Sequence, residues 1–391
     1  MAKRVGMEVA IAAAEAVALC NIDVAAVYPI TPNTHIAEHL AEIVADGKID
    51  AEFITVESEH SSISACAGAS GAGARTYTAT SSQGLMLMHE ILPIVSAMRL
   101  PVVMGLANRA VSGPLNIWND HSDIMPQRDS GWISFFCENG QEAVDMSIQS
   151  FKIAEHKDVM LPVVLNIDGF QLTHMVEAIE IPTQKEVDKF LPPFVPYATL
   201  HPDKPLTLGA YAFPDIFTEV MMAKNQALID SKNVILKVWE EWEKQFGRSY
   251  KPVETYRTEG ADVLILTMGS NGETASIAVD EMRNAGHAVG LVKLRLWRPF
   301  PFEELKAAVK GAKVLIVTDR AVSYGGPGGP VGAEIKSALY REKDRPFIYN
   351  IIYGLGGRDT TVDHFKDMLT RGLQAKKKQP KEDYIIYGVR E

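Results

Sequence analysis

Short, near-continuous apolar runs alternate with stretches of helical pattern along the first part of the chain. VAAVY (24–28), EFITVE (52–57), TYTAT (76–80), PVVMGLAN (101–108) and LPVVLNID (161–168) read as strands buried on both faces. Segments 34–46, 60–73, 82–98 and 140–156 lie between them, each long enough for a crossover helix. This alternation predicts a mostly parallel sheet with helices on both faces. The ligand edge of such a sheet is the carboxyl end of its strands, which singles out Tyr28, Glu57, Thr80 and Asn108.

Over 171–258 the pattern changes to a proline-rich, largely aperiodic segment that reads as extended, followed by a long amphipathic helix over 215–246. Alternation then restarts. Strands are expected at 262–270, 288–296, 313–320 and 347–354, with helices at 272–285, 302–310, 331–341 and 361–373. The domains expected are therefore 1–258, 259–375 with its own parallel sheet, and a charged, extended tail over 376–391. No internal repeat or low-complexity tract is present.

Composition narrows the classes of function. The 391 residues are 47% hydrophobic, ample for buried cores, yet no apolar run is long enough to span a bilayer. The opening MAKRVGMEVAIAAAEAVALC resembles a signal peptide, but Glu8 and Glu15 interrupt it at helical spacing, so an amphipathic helix is expected. A net charge of −10 argues against non-specific attraction to nucleic acid or to an anionic membrane. Cys20, Cys66 and Cys137 are widely spaced, as expected of buried thiols in a reducing cytoplasm. Three thiols are too few for an iron–sulfur cluster, which normally takes four.

The glycine-rich corners GASGAGAR (68–75), GGPGGPVG (325–332) and GLGGRD (354–359) lack dinucleotide or P-loop spacing. GGPGGPVGAE leads into a helix whose first turn is either a plain tight turn or an anion site. In YPITPNTHI (28–36) two prolines bracket Thr31: either a rigid corner with a capping Asn33 or Thr34, or a stiffened mount holding Thr31 against a ligand. Glu57 and Glu59 fall where strand 52–57 gives way to a helix of small residues. Glu57 suits the helix dipole, whereas Glu59 can be pressed against something flat. TSSQG (80–84) offers hydroxyls and an amide at the next strand end. Arg109 follows a buried strand directly, and is either the receptor for a carboxylate or the partner of Asp120 or Asp123 in a salt bridge. DHSD (120–123) has one histidine, so its carboxylates are expected to shape the loop; no metal ligands are expected on this chain.

YPITPNTHIAEHLAE, ITVESEHSSISACAGASGAGARTYTATSSQGLMLMHEIL, NRAVSGPLNIWNDHSD with QRDSGW, and GLGGRD occur in order over about 5–375. Together they resemble the α subunit of the multi-subunit 2-oxoacid:ferredoxin oxidoreductases, the pyruvate:ferredoxin type above all. The resemblance implies a thiamine-diphosphate-fold pyrimidine-binding domain followed by a transketolase C-terminal-like α/β domain. It implies oxidative cleavage of a 2-oxoacid with coenzyme A to acyl-CoA and carbon dioxide, electrons leaving through [4Fe–4S] clusters to ferredoxin or another acceptor. The diphosphate and Mg²⁺ would lie on a β subunit, matching the lack here of a G-D-G motif with a following Asn, and the clusters on γ- and δ-type subunits. Glu59 matches the glutamate that hydrogen-bonds the pyrimidine nitrogen, Thr31 the substrate threonine and Arg109 the carboxylate receptor. Pro29, Ile30 and Ser82 are the implied cofactor contacts. Gly113 stands where many pyruvate-type members have Ala, which keeps a paralogue for aryl, branched-chain or indole 2-oxoacids as the alternative. A non-catalytic assembly subunit is the alternative from another class.

Overall fold

A computed structural model describes residues 3–390. The chain runs β1 (Lys3–Glu8), α1 (Val9–Ala18), β2 (Val24–Ala26), α2 (Thr34–Ala45), β3 (Glu52–Ile54), α3 (Glu59–Gly71), β4 (Thr76–Thr80), α4 (Ser82–Met88), α5 (Leu92–Ala97) and β5 (Val103–Asn108). It continues through β6 (Ile133–Phe136), α6 (Gly140–Ala154), β7 (Val163–Asp168), β8 (Val176–Ile181), α7 (Gln184–Phe190) and α8 (Pro214–Phe246). The last part holds β9 (Val253–Tyr256), β10 (Val263–Thr267), α9 (Asn271–Asn284), β11 (Val289–Leu294), β12 (Leu296–Arg298), α10 (Phe302–Val309), β13 (Val314–Asp319), α11 (Pro330–Leu339), β14 (Phe347–Ile352), α12 (Val362–Lys377) and β15 (Tyr384–Ile386).

The expected α/β class holds. The first sheet has the order β12-β6-β7-β5-β4-β2-β3 and the second β15-β14-β13-β10-β11-β9. Neighbours are parallel except β12 against β6 and β9 against β11. Strands β4, β5 and β7 are buried along their whole length, β5 and β7 through largely apolar runs and β4 with three buried threonines. One apolar cluster joins Met104 and Leu106 of β5 to Leu264, Leu266, Leu315 and Val317 of β10 and β13. The two sheets therefore share a core.

Several expectations need correction. The N-terminal segment is not one amphipathic helix: residues 3–8 pair antiparallel with β8, and α1 is buried nearly all round. Its alanines are small enough to let it pack closely on α2 and α6. Helix 82–98 is broken into α4 and α5, with Pro93 in the first turn of the second. Segment 171–258 is only partly extended, since it also forms β8 and α7. Segment 288–296 is not one strand. It divides at Arg295, buried between Glu142 of α6 (2.5 Å) and Glu254 of β9 (2.7 Å), and the chain then crosses to the first sheet as β12. The tail adds β15 to its own second sheet beside β14.

The three cysteines are buried and free, and burial pushes each thiol up, Cys66 to about 12. No described helix is long and apolar enough to cross a membrane. The first turn of α11 does receive an anion, the chain's own: Asp319 accepts from the N–H groups of Val331 and Gly332, both at 2.8 Å. That first turn is thus filled, which removes the external-anion reading of GGPGGPVG.

Candidate active site

The corner after β2 packs onto the ends of β5 and β7. A Cβ on Gly169 would stand 2.5 Å from Pro32 Cγ and 2.3 Å from the Asn108 carbonyl, so only glycine permits this approach. The Thr31–Pro32 peptide is cis. Asn33 does not cap α2; its side chain is fully buried with neither amide atom partnered. Thr31 and Pro29 are exposed and Ile30 half-buried, which leaves the corner's outer face open.

Glu59 opens α3, whose cap is Ser58, accepting from Ser61 N at 3.2 Å. Glu57 stays exposed and accepts from the Ser61 hydroxyl at 2.7 Å, which holds its carboxyl below the usual range. Glu59 is buried, and no described group donates a hydrogen bond to its carboxylate. Across from it stands Gly84 of α4. A Cβ there would lie 2.5 Å from Glu59 Oε1 and 2.3 Å from Thr80 Oγ1. The hydroxyls of Thr80 and Ser81 are buried without partners among the described residues. Ser82, with φ of 46°, donates its hydroxyl to the Ala110 carbonyl at 2.7 Å, which occupies it structurally.

Asp123 links this strand end to the next. Its Oδ2 accepts from Ser82 N (3.2 Å) and Arg109 N (2.9 Å), and its Oδ1 from Asn108 Nδ2 (3.1 Å) and Ile124 N (2.8 Å). Burial outweighs these donors and pushes Asp123 up to about 7. Among the described residues, the Arg109 guanidinium makes no carboxylate pair. Its Nε donates to the Asn116 carbonyl and Nη1 to the Thr31 carbonyl, each at 2.9 Å. Two of the five N–H groups of an arginine are thus used and three remain. Burial lowers its pKa, against the pull of Asp123.

The loop behind Arg109 is clamped by the second sheet's unit. Asn116 Nδ2 donates to the Gly356 carbonyl (3.1 Å), and Gly356 N donates to Asp120 Oδ2 (2.9 Å). Asp120 also accepts from Ser122, so the DHSD carboxylates shape the loop as expected. His121 Nε2 meets Asp168 Oδ1 at 2.9 Å, and Arg320 Nη1 meets Asp168 Oδ2 at 3.0 Å. Although burial would raise it, Arg320 and His121 hold Asp168 well below the usual carboxylate range.

Thr31, Ser82 and Arg109 are therefore brought together through Asp123 and the Thr31 carbonyl, and Glu59 faces the same strand end across Gly84. Gly113 is exposed, with φ of 123° and open space where a Cβ would project. Sequence reasoning singled out Thr80 at the strand end but not the unpartnered side chain of Asn33, the Ser81 hydroxyl or the close approach at Gly84. TSSQG carried a signal, but choosing among its hydroxyls required knowing which one Ala110 occupies.

A mostly parallel sheet covered by helices and joined to a second α/β unit is the fold this chain shares with a solved 2-oxoacid:ferredoxin oxidoreductase and a split-gene transketolase, and its first part matches a thiamine-diphosphate-binding family model. Residues 15–240 match the family model described as pyruvate flavodoxin/ferredoxin oxidoreductase, thiamine diP-binding, and 261–365 match pyruvate:ferredoxin oxidoreductase core domain II. The pyruvate synthase subunit PorA of Methanothermobacter thermautotrophicus is 48% identical over 92% of this chain and 93% of its own length. Ketoisovalerate oxidoreductase subunit VorA of Pyrococcus horikoshii is 43% identical over 91% and 90%. The solved 2-oxoglutarate:ferredoxin oxidoreductase of Magnetococcus marinus superposes with a TM-score of 0.72 at 22% identity, over 95% of this chain and 65% of that one, a likeness of fold. The chain belongs to the pyruvate:ferredoxin oxidoreductase family, as an α subunit of a 2-oxoacid oxidoreductase.

Proposed function

We propose that this subunit contributes the acid half of a shared active centre for the CoA-dependent oxidative decarboxylation of pyruvate. The diphosphate and Mg²⁺ are held by a β subunit, and [4Fe–4S] clusters on γ- and δ-type subunits carry electrons to ferredoxin or another acceptor. The observation that carries this reading is Glu59: a buried carboxylate to which no described group donates, near the orphaned Thr80 hydroxyl, both packed so closely on Gly84 that a side chain there would displace them. Buried polar groups ordinarily have partners, and these fit the polar edge of an aminopyrimidine. When bound, thiamine diphosphate supplies a nucleophilic carbon and an electron sink. Glu59 holds and shares a proton at the ring nitrogen. Arg109, pinned by two carbonyls, offers its remaining N–H groups to the substrate carboxylate, with Thr31 beside it.

Two variants of the assembled complex test this. Glu59→Gln should slow deuterium exchange at thiamine C2 by about 10²–10⁴-fold, the span of a lost acid–base group. Unchanged exchange would favour an assembly role for the chain. Arg109→Met should raise KM for the 2-oxoacid while cofactor retention holds; parallel loss of both would assign Arg109 to folding. The second reading, a branched-chain 2-oxoacid, draws on the VorA likeness. CoA-dependent dye reduction with pyruvate, 2-oxoisovalerate and phenylglyoxylate side by side decides the substrate.

A further inference from the structure

We infer that Glu8, His35 and His174 form a binding site for a divalent transition-metal ion of the zinc type. The three residues are distant in sequence and come from three elements: the end of β1, the first turn of α2, and the turn that follows β7. One ligating atom from each lies within 4.8 Å of the other two. His35 Nδ1 stands 2.5 Å from Glu8 Oε1, and the His35 and His174 rings are 4.6 Å apart between centroids.

The backbone fixes this juxtaposition. Glu8 precedes α1 but its side chain makes no cap bond; instead, carbonyls of the turn after β7 accept from the first N–H groups of the helix. Val9 N donates to Met175 O (3.0 Å) and Ala10 N to Thr173 O (2.9 Å), which staples the His174 backbone beside Glu8. Thr173 Oγ1 lies 2.8 Å from His174 Nδ1 and also accepts from Phe170 N at 2.9 Å. With Nδ1–H donating to that hydroxyl, the Nε2 lone pair is the one left for an ion. Such an outer-shell partner is what orients metal-binding histidines.

Two imidazoles and one carboxylate suit zinc and its d-block neighbours better than magnesium or calcium, which prefer oxygen. Zinc bonds of about 2.0–2.2 Å in a tetrahedron leave a fourth position for water. The His35 side chain is 43% exposed, so it can rotate to close the set, and ions can reach it from solvent. An ion here would tie together α1, α2 and the turn after β7. The first turn of α2 directly follows Thr31–Pro32, so the ion would brace that corner from behind, a structural role independent of the reaction proposed above. The plainer alternative is a Glu8–His35 ion pair with His174 stacked against it.

Equilibrium titration of the chelator-treated, untagged full chain with Co²⁺ and then Zn²⁺ separates the two. The site predicts one equivalent of Co²⁺ with visible d–d bands, displaced by Zn²⁺, and a higher unfolding midpoint with zinc. Glu8→Gln and His174→Asn should each weaken binding by about 100-fold or more, beyond the 10–100-fold typical of outer-shell changes. Should Glu8→Gln fail to fold, His35→Ala, at a partly exposed side chain, carries the same test. Absence of Co²⁺ bands at micromolar metal, or undiminished bands in the His35→Ala/His174→Asn double variant, overturns the proposal.

Discussion

Replacing Gly84 by alanine tests whether the space between Glu59 and Thr80 matters to the chemistry. The added methyl would centre 2.5 Å from Glu59 Oε1, 2.8 Å from Glu59 Cγ and 2.3 Å from Thr80 Oγ1. Ordinary contact begins near 3.4 Å, so the carboxylate must retreat by about 1 Å. Overpacking of this kind costs about 1–3 kcal/mol, while alanine's higher helix propensity returns about 0.5–1 kcal/mol. The net loss of stability is thus about 0–2.5 kcal/mol, a modest change in unfolding midpoint. The functional effect should be far larger, because a 1 Å misplacement of a catalytic group can lower rates about 100-fold. Thiamine C2 exchange in the assembled complex reads this directly. The control is Gly68→Ala in the same sheet edge's α3, where a Cβ meets nothing within 4 Å; it should stabilise by about 0.5–1 kcal/mol and leave exchange unchanged. Exchange in Gly84→Ala within a few-fold of wild type would refute the placement of Glu59 at the reacting ring.

Gly356→Ala places a methyl 2.4 Å from Asn116 Nδ2 at a residue whose φ is 58°, and should raise KM for the 2-oxoacid about tenfold by loosening the loop that pins Arg109; steady-state kinetics with unchanged cofactor content checks it. Stability should fall as pH rises from about 4 to 6 through Asp319, which burial pushes up to about 6: the native chain keeps a proton that the unfolded chain has already released. That displacement corresponds to roughly 3 kcal/mol at most, and Asp319→Asn should remove that slope from urea midpoints measured across the window. Asp168 acts oppositely: its depressed pKa contributes stability present above about pH 4 and lost on acidification, so Asp168→Asn should flatten the acid limb.

Much of the fold was legible because a strand buried on both faces leaves a near-continuous apolar run. PVVMGLAN and LPVVLNID read so and lie inside the sheet, and TYTAT, despite three threonines, is buried as fully. What escaped was set by pairing at long range. β6 is four residues behind a polar loop, and it becomes a strand because β7 and β12 flank it. β12 itself continues a run that reads as one strand, and only the buried Arg295 between two acids divides it. Residue types at the candidate site were readable, but their states of partnering were not. Arg109 was open to a salt bridge with Asp120 or Asp123 until the structure showed Asp120 bonded to Ser122, Asp123 taking the Arg109 backbone N–H rather than its side chain, and the guanidinium held by carbonyls.

That holding depends on the second unit more than its sequence suggests. Asp168, at the end of β7, gathers His121 from the Arg109 loop, Ser270 from the end of β10 and Arg320 from the end of β13. Carboxyl ends of strands from both sheets thus converge on one buried carboxylate. Arg320 also donates to Asn119 O and Gln171 Oε1, so one guanidinium ties the loop to both units. Removing one partner from a buried charge network costs about 3–5 kcal/mol, since the remaining charge loses its compensation. The loop cannot drift from the second unit without incurring that loss. Gly356 and Gly357 let the backbone close onto Asn116 and Trp118, where any Cβ would collide. The second unit therefore fixes the position of Arg109 from outside its own sheet, which ties the geometry at the substrate edge to the packing of the two units.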